Sequence, residues 1–233
     1  MTSNLKALLI GLLALLSMSA LIATTAQAET HHFNSESAPA IITGEANAEA
    51  PNQVLTIALE GGGSATVTCN KLTAKTTTTN TTETELTISE FHYSKTTNAK
   101  CDSSLTGANS AEVADGGCHL LFTGETDANG HAVVHLICTG EPLKIKLPGC
   151  TLTITNNGTY RGVHYTFLPG GIIIVHITIP SEIHYTASGI GCELAGVPGS
   201  GTASYTGRVT IKGFKDESGV EGTQQGLSGT TTP

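Results

Sequence analysis

The sequence predicts an all-β chain: an antiparallel β-sandwich of jelly-roll or immunoglobulin-like kind, or a barrel, built from about ten short strands and held by disulfides. Three observations predict it. Apolar and polar residues alternate at period two through much of the chain, which is the burial rhythm of half-buried strands. Turn signals rich in Gly, Pro, Asn and Asp recur roughly every 8–12 residues. Six cysteines are present, and those of the central stretch fall in phase with the apolar positions. The pattern suits sandwich or barrel, with the sandwich preferred. No stretch beyond the N-terminal apolar run has a helical period.

The N-terminus carries Lys6, an apolar run over residues 7–23, and the small-x-small sequence Ala26-Gln27-Ala28. This is the layout of a Sec-type signal peptide over 1–28. It implies a secreted or extracellular protein, with cell-wall association as a further expectation. That compartment permits disulfides. No later run has transmembrane length, so no transmembrane segment is expected after signal cleavage. The chain has 19 acidic against 11 basic residues and a formal net charge of −8. Without basic clusters, a nucleic-acid partner is not expected.

Residues 29–53 read as an irregular N-terminal segment, interrupted by Pro39, Gly44 and Pro51, with Ala40-Ile41-Ile42-Thr43 as a short edge strand. Residues 54–214 form a single all-β domain. Its first firm strand, 54–59, ends at the hairpin tip Gly61-Gly62-Gly63. The next, 64–74, sets Ala65, Val67 and Cys69 on one face. The threonine run from Thr76 reads as a solvated edge or loop. In 86–93, Leu86 and Ile88 share one face while Phe91 and Tyr93 share the other, and a bulge near Glu90 reconciles them. Residues 102–116 read as a polar loop.

The stretch 117–157 reads as four strands. Cys118, Leu120 and Phe122 share a face; after the turn Asp127-Ala128-Asn129-Gly130, so do Ala132, Val134, Leu136 and Cys138. Leu143, Ile145 and Leu147 follow, then Cys150, Leu152 and Ile154. Further strands are expected at 160–167, 172–179 and 183–187, separated by Leu168-Pro169-Gly170-Gly171 and Pro180-Ser181. The last strand, 202–214, has Ala203, Tyr205, Val209 and Ile211 in phase. Residues 215–233, polar and glycine-rich, read as a flexible C-terminal tail.

Antiparallel partners share a constant index sum. If Phe122 faces Val134, then Cys118 faces Cys138, and a cross-strand bond fits. The rival Cys138–Cys150 is disfavoured, because strand 143–147 carries the chain roughly 17 Å away and a disulfide needs Cα atoms within about 7 Å. Cys69–Cys101 is the favoured second pair, which leaves Cys150–Cys192. A zinc site is the alternative, but no cysteine pair has the short spacing that zinc ligands use.

A resemblance adds to this reading. It rests on Phe33-x-Ser35-Glu36 with Thr43-Gly44, Val67-Thr68-Cys69, Gly117-Cys118 with Phe122, and Val134-x-Leu136-Ile137-Cys138. Gly149-Cys150-Thr151, Ile183-His184-Tyr185-Thr186 with Gly191-Cys192, and Tyr205-Thr206-Gly207 with Gly213-Phe214 complete it. Together these resemble uncharacterised secreted six-cysteine β-proteins of soil actinobacteria of the Solirubrobacter type, over most of the expected mature chain. The resemblance implies a bacterial exported protein and no activity.

Chemistry is sparse. His131 and His135 lie about 13 Å apart along one strand, too far for one ion. His119 and His135 leave the cysteine face of the same hairpin on diagonal positions and are the candidate metal ligands, without an evident third. No catalytic residue is assigned. There is no Gly-x-Ser-x-Gly elbow, no carboxylates mark themselves as a pair, and paired cysteines leave no thiolate. No cofactor is expected. The chain has no Trp, and the inward phase of Tyr165, Phe167, Tyr185 and Tyr205 argues against an aromatic sugar platform.

The functional expectation is an exported, non-catalytic structural or interaction module at or near the bacterial cell envelope, with an envelope component as partner. Two alternatives stand beside it: a secreted ligand- or metal-binding module, and a secreted hydrolase with a loop-built site.

Overall fold

The structure is a computed structural model that describes residues 30–36, 40–46, 53–80, 82–95, 100–126, 131–155, 157–214, 224–225 and 227–232. The expected signal peptide over 1–28 and the turn at 127–130 lie outside the described residues.

In chain order the strands are β1 (Thr30–Ser35), β2 (Ala40–Ala46), β3 (Gln53–Ala58), β4 (Ser64–Cys69), β5 (Lys71–Thr78), β6 (Thr82–Glu83), β7 (Glu85–Ile88), β8 (Glu90–Ser94), β9 (Cys101–Leu105) and β10 (Ala108–Ala114). Then come β11 (Cys118–Thr126), β12 (Ala132–Cys138), β13 (Lys144–Leu147), β14 (Cys150–Ile154), β15 (Gly158–Leu168), β16 (Ile172–Ser188), the helix α1 (Ile190–Leu194), β17 (Ser200–Phe214), β18 (Gln224–Gln225) and β19 (Leu227–Thr232).

Eight of these strands close into a barrel by antiparallel pairing. The circuit runs β3, β4, β9, β10, β13, β14, β16, β17 and back to β3. Closure satisfies the edge hydrogen bonds that an open sheet leaves bare. The sandwich preferred from sequence is therefore replaced by a barrel. Alternation assigns each strand an inner face, but not the partner that closes the ring.

The two longest strands reach beyond this barrel. Ile172–Leu168 pairing and its continuation join β16 to β15, while Thr210–Glu45 and its neighbours join β17 to β2. From there a second circuit of pairings runs β2, β5, β8, then β7, β11, β12 and β15. Its closure depends on one chain segment changing partners. β7 pairs with β11 and β8 with β5, and the change falls at Ser89. Leu86 and Ile88 are buried before it, Phe91 after it, and Tyr93 points into the same interior. The phase break seen in the sequence is thus the corner where the strand turns from one partner to the next.

Corners explain other differences. Residues 172–188 form one strand, with Pro180 and Ser181 inside an irregularity between Ile179 and Ile183. Proline sits there without cost to a ladder bond because the register shifts. The expected polar loop at 102–116 is the pair β9–β10, whose inward residues Ala108 and Ala111 are buried but too small to give an apolar rhythm. The threonine run begins inside β5, with Thr76 and Thr78 buried. One five-residue helix, α1, exists where none was expected; it brings buried Cys192 beside β14. Nineteen strands are present among the described residues, against about ten expected.

Both flanking segments are structured where they are described. β1 and β2 occupy the expected irregular 29–53, and β18 and β19 occupy the expected tail 215–233. β1 pairs along its whole length with β19, from Thr30–Thr232 to Ser35–Leu227. Phe33 of β1 packs edge-on against Tyr165, with ring centroids 5.2 Å apart, and Gly229 leaves the space that the Phe167 ring occupies.

Candidate binding cavity

The apolar faces of the two circuits meet around a cavity of about 110 Å³. Aliphatic side chains supply most of its wall: Leu55 and Val67 from β3 and β4, Ile145 and Ile154 from β13 and β14, Val134 and Leu136 from β12. Each is buried. The alternation that sends these residues inward also sends Thr, Lys and His outward, so the interior is nearly free of polar atoms.

Among the polar side chains of the lining, Gln53, Tyr205 and Tyr93 form a connected group, and Tyr160 stands apart from it. Gln53 is 1 % exposed, in phase with Leu55 and Ile57 on β3. Its Nε2 donates to the backbone oxygen of Arg208 at 2.8 Å. That bond turns Oε1 towards Tyr205, whose hydroxyl donates to it. The Tyr93 hydroxyl lies 3.3 Å from that of Tyr205. Since Tyr205 spends its proton on Gln53, Tyr93 is the donor in this contact. The direction of the chain is fixed from one end by a backbone carbonyl, which can only accept. Its other end is the Tyr93 oxygen, with acceptor capacity left over.

Gly207 makes room for this group. A Cβ at that position would overlap Oε1 of Gln53 and stand 2.9 Å from the Tyr205 hydroxyl. Burial raises the phenol of Tyr93 above its usual range; burial, followed by the Tyr93 contact, raises that of Tyr205 well above it. Both stay neutral and able to donate at ordinary pH.

Three disulfides cross-link the chain, Cys69–Cys101, Cys118–Cys138 and Cys150–Cys192, with Cα separations of 4.6, 3.9 and 4.7 Å. They are the pairs favoured on sequence. Cys118 stands opposite Cys138 and Phe122 opposite Val134 in the β11–β12 register. Cys69 is also opposite Gln53 and lines the cavity, so the first disulfide anchors the strand beside the polar group.

The candidate metal ligands are not brought into such a group. His119 stands opposite Ile137, and His135 opposite Leu121. His135 Nδ1 lies 3.0 Å from the Thr159 hydroxyl. Among the described residues no three His, Cys, Asp or Glu side chains are arranged to hold a metal ion. No helix among the described residues is long and apolar enough to cross a membrane.

Sequence reasoning placed Tyr205 in the core and passed over Gln53 and Tyr93 as functional groups. The available signal was Gln53 itself, a polar residue directly before the first firm strand at 54–59 and in phase with its Leu55 and Ile57. Compared with known protein families, curated proteins and solved structures, the chain matches none.

Proposed function

We propose that the chain is an exported, non-catalytic binding module whose interior holds a small, largely apolar molecule bearing one hydrogen-bond donor. The observation that carries this reading is the apolar cavity with an oriented, hydrogen-bonded polar group ending at the Tyr93 oxygen. An apolar engineered cavity of about 150 Å³ admits benzene, so a cavity of about 110 Å³ suits one ring or a short alkyl chain. Pockets for larger ligands run to roughly 300–1,000 Å³. Disulfides and an acidic surface suit a protein that works outside the cell, and association with the envelope belongs to the same proposal. The cavity ranks ligand binding ahead of a purely structural part, which has no use for unfilled apolar space.

Thermal unfolding in the presence of p-cresol and of toluene tests the proposal. The two differ by one hydroxyl. Binding to the folded state alone raises its stability, by about 2.7 kcal/mol at a hundredfold excess over Kd. The expected result is a larger rise in Tm with p-cresol than with toluene, and loss of that preference in Tyr93→Phe, which keeps the ring but removes the acceptor. No rise with either compound, or an equal preference in both proteins, overturns it.

A further inference from the structure

On the outer face of the shared strands, His164 of β15 stands directly opposite His176 of β16, and His176 directly opposite Arg208 of β17. Cross-strand partners project to the same side of a sheet. The row continues to the residue just before β12, where the His131 ring meets the His164 ring edge-on at 4.3 Å. Two imidazoles and a guanidinium thus cross three strands in one line, with a third imidazole at its end. Like charges placed opposite one another weaken a sheet, and the chain is acidic as a whole.

Three lysines elsewhere have carboxylate partners. Lys95 pairs with Asp102, Lys144 with Glu141 and Lys146 with Glu112, at 2.8, 2.7 and 3.4 Å. Among the described residues Arg208 has no such carboxylate, and its Nε is buried without a hydrogen-bond acceptor. A guanidinium N–H cannot accept, and it cannot be neutralised at ordinary pH. The complementary partner for this group is an anion that accepts hydrogen bonds.

We propose that this row is a binding site for a phosphate-type oxyanion, seated on Arg208 and His176 and flanked by His164, and that binding is coupled to proton uptake. The site is distinct from the interior cavity and does not depend on its occupant. Arg208 supplies the permanent charge and the donors of its guanidinium fork. The histidines add donors and charge when protonated.

Burial, followed by the charges of Arg208 and His164, holds His176 below the usual histidine range in the empty state. An anion beside it reverses the electrostatic part of that effect, so each favours the other. The other titratable groups facing the row are His135 on β12 and Arg161 on β15. Lys212 follows on β17, and β2 sets Glu45 opposite Thr210 in register.

The test is titration with inorganic phosphate in constant chloride, read from the imidazole proton resonances, at about pH 5.5 and about pH 7.5. Expected are saturable shifts of the His164 and His176 signals and affinity about tenfold higher at the lower pH, a coupling of ordinary size between two sites. Arg208→Met should abolish saturation, while Arg208→Lys, which keeps the charge but loses Nε, should bind more weakly than the parent. Vesicles of phosphatidylglycerol and of phosphatidylcholine separate the sources. Arg208-dependent capture by the first alone assigns a lipid headgroup, and phosphate binding without capture assigns the free ion. Shifts that do not saturate, or that persist in Arg208→Met, overturn the proposal.

Discussion

The two circuits share β16 and β17 but are closed by different means. In the barrel, all eight strands meet a hydrogen-bonded neighbour, and one disulfide stands at a seam where few pairs exist. The contact between β4 and β9 shows only the pairs Val67–Ser103 and Thr68–Asp102, with Cys69–Cys101 beside them. In the second circuit, closure depends on a single residue, Ser89, which lets one segment serve two partners. A disulfide stands at the sparse seam of one ring and a phase break closes the other, whose own disulfide, Cys118–Cys138, joins strands already in register. Local sequence pattern therefore decides more in the second ring, and long-range bonding more in the first.

Deleting Ser89 should have the largest effect. It puts Leu86, Ile88, Phe91 and Tyr93 on one face of an uninterrupted strand and removes the corner, so the segment keeps its register with β11 or with β5 but not with both. A one-residue slip against the other partner turns side chains, each contributing about 1.5–3 kcal/mol when buried, away from the interior. The expected outcome is loss of the cooperative unfolding transition seen by near-UV circular dichroism. A deletion variant that unfolds like the parent would show that the corner does not close the ring.

Replacing Cys69 and Cys101 together by Ser should rank next. The bridge spans 32 residues, for which chain entropy gives about 3–4 kcal/mol. Cys118→Ser with Cys138→Ser should cost less. Its loop is shorter, 20 residues, and the bridge joins strands already paired through Leu120–Leu136 and Phe122–Val134. Urea unfolding of both double variants makes the comparison. Equal losses would remove the distinction between a staple that closes a seam and one that decorates a hairpin.

The difference between the rings also sorts what was legible. The β11–β12 register followed from one index sum, because a hairpin's partners are near in sequence. The corner at Ser89 followed from two residues on each side changing phase. Barrel closure did not, since β17 meets β3 through pairs such as Tyr205–Leu55 that no local pattern specifies. β9–β10 was hidden because Ala108 and Ala111 bury little area. The pairing of β1 with β19 joins opposite ends of the chain. The cavity depends on side-chain volumes summed over strands from both rings, and its polar group on Gln53, a residue assigned to an irregular segment. The row of His164, His176 and Arg208 needed three registers before it became a row.

Tyr93 and Tyr205 stand where the two rings meet, and alkali gives the smallest effect and the finest comparison. All five tyrosines, Tyr93, Tyr160, Tyr165, Tyr185 and Tyr205, have phenols raised by burial. Below about pH 10 the folded and unfolded chains both hold these protons, so this contribution is fully present. Above it the unfolded chain releases them first, and stability falls as pH rises, by up to about 1.4 kcal/mol per unit for each phenol. At about pH 10.5, Tyr93 and Tyr205 together should account for a loss of about 1–2 kcal/mol relative to neutral pH. Urea unfolding at both pH values, in the parent and in Tyr93→Phe with Tyr205→Phe, isolates that share. The double variant should start less stable at neutral pH, because Gln53 Oε1 loses its donor, yet lose less on going to alkali. An unchanged alkaline loss would place the ionising phenols elsewhere, in the rings and not at their junction.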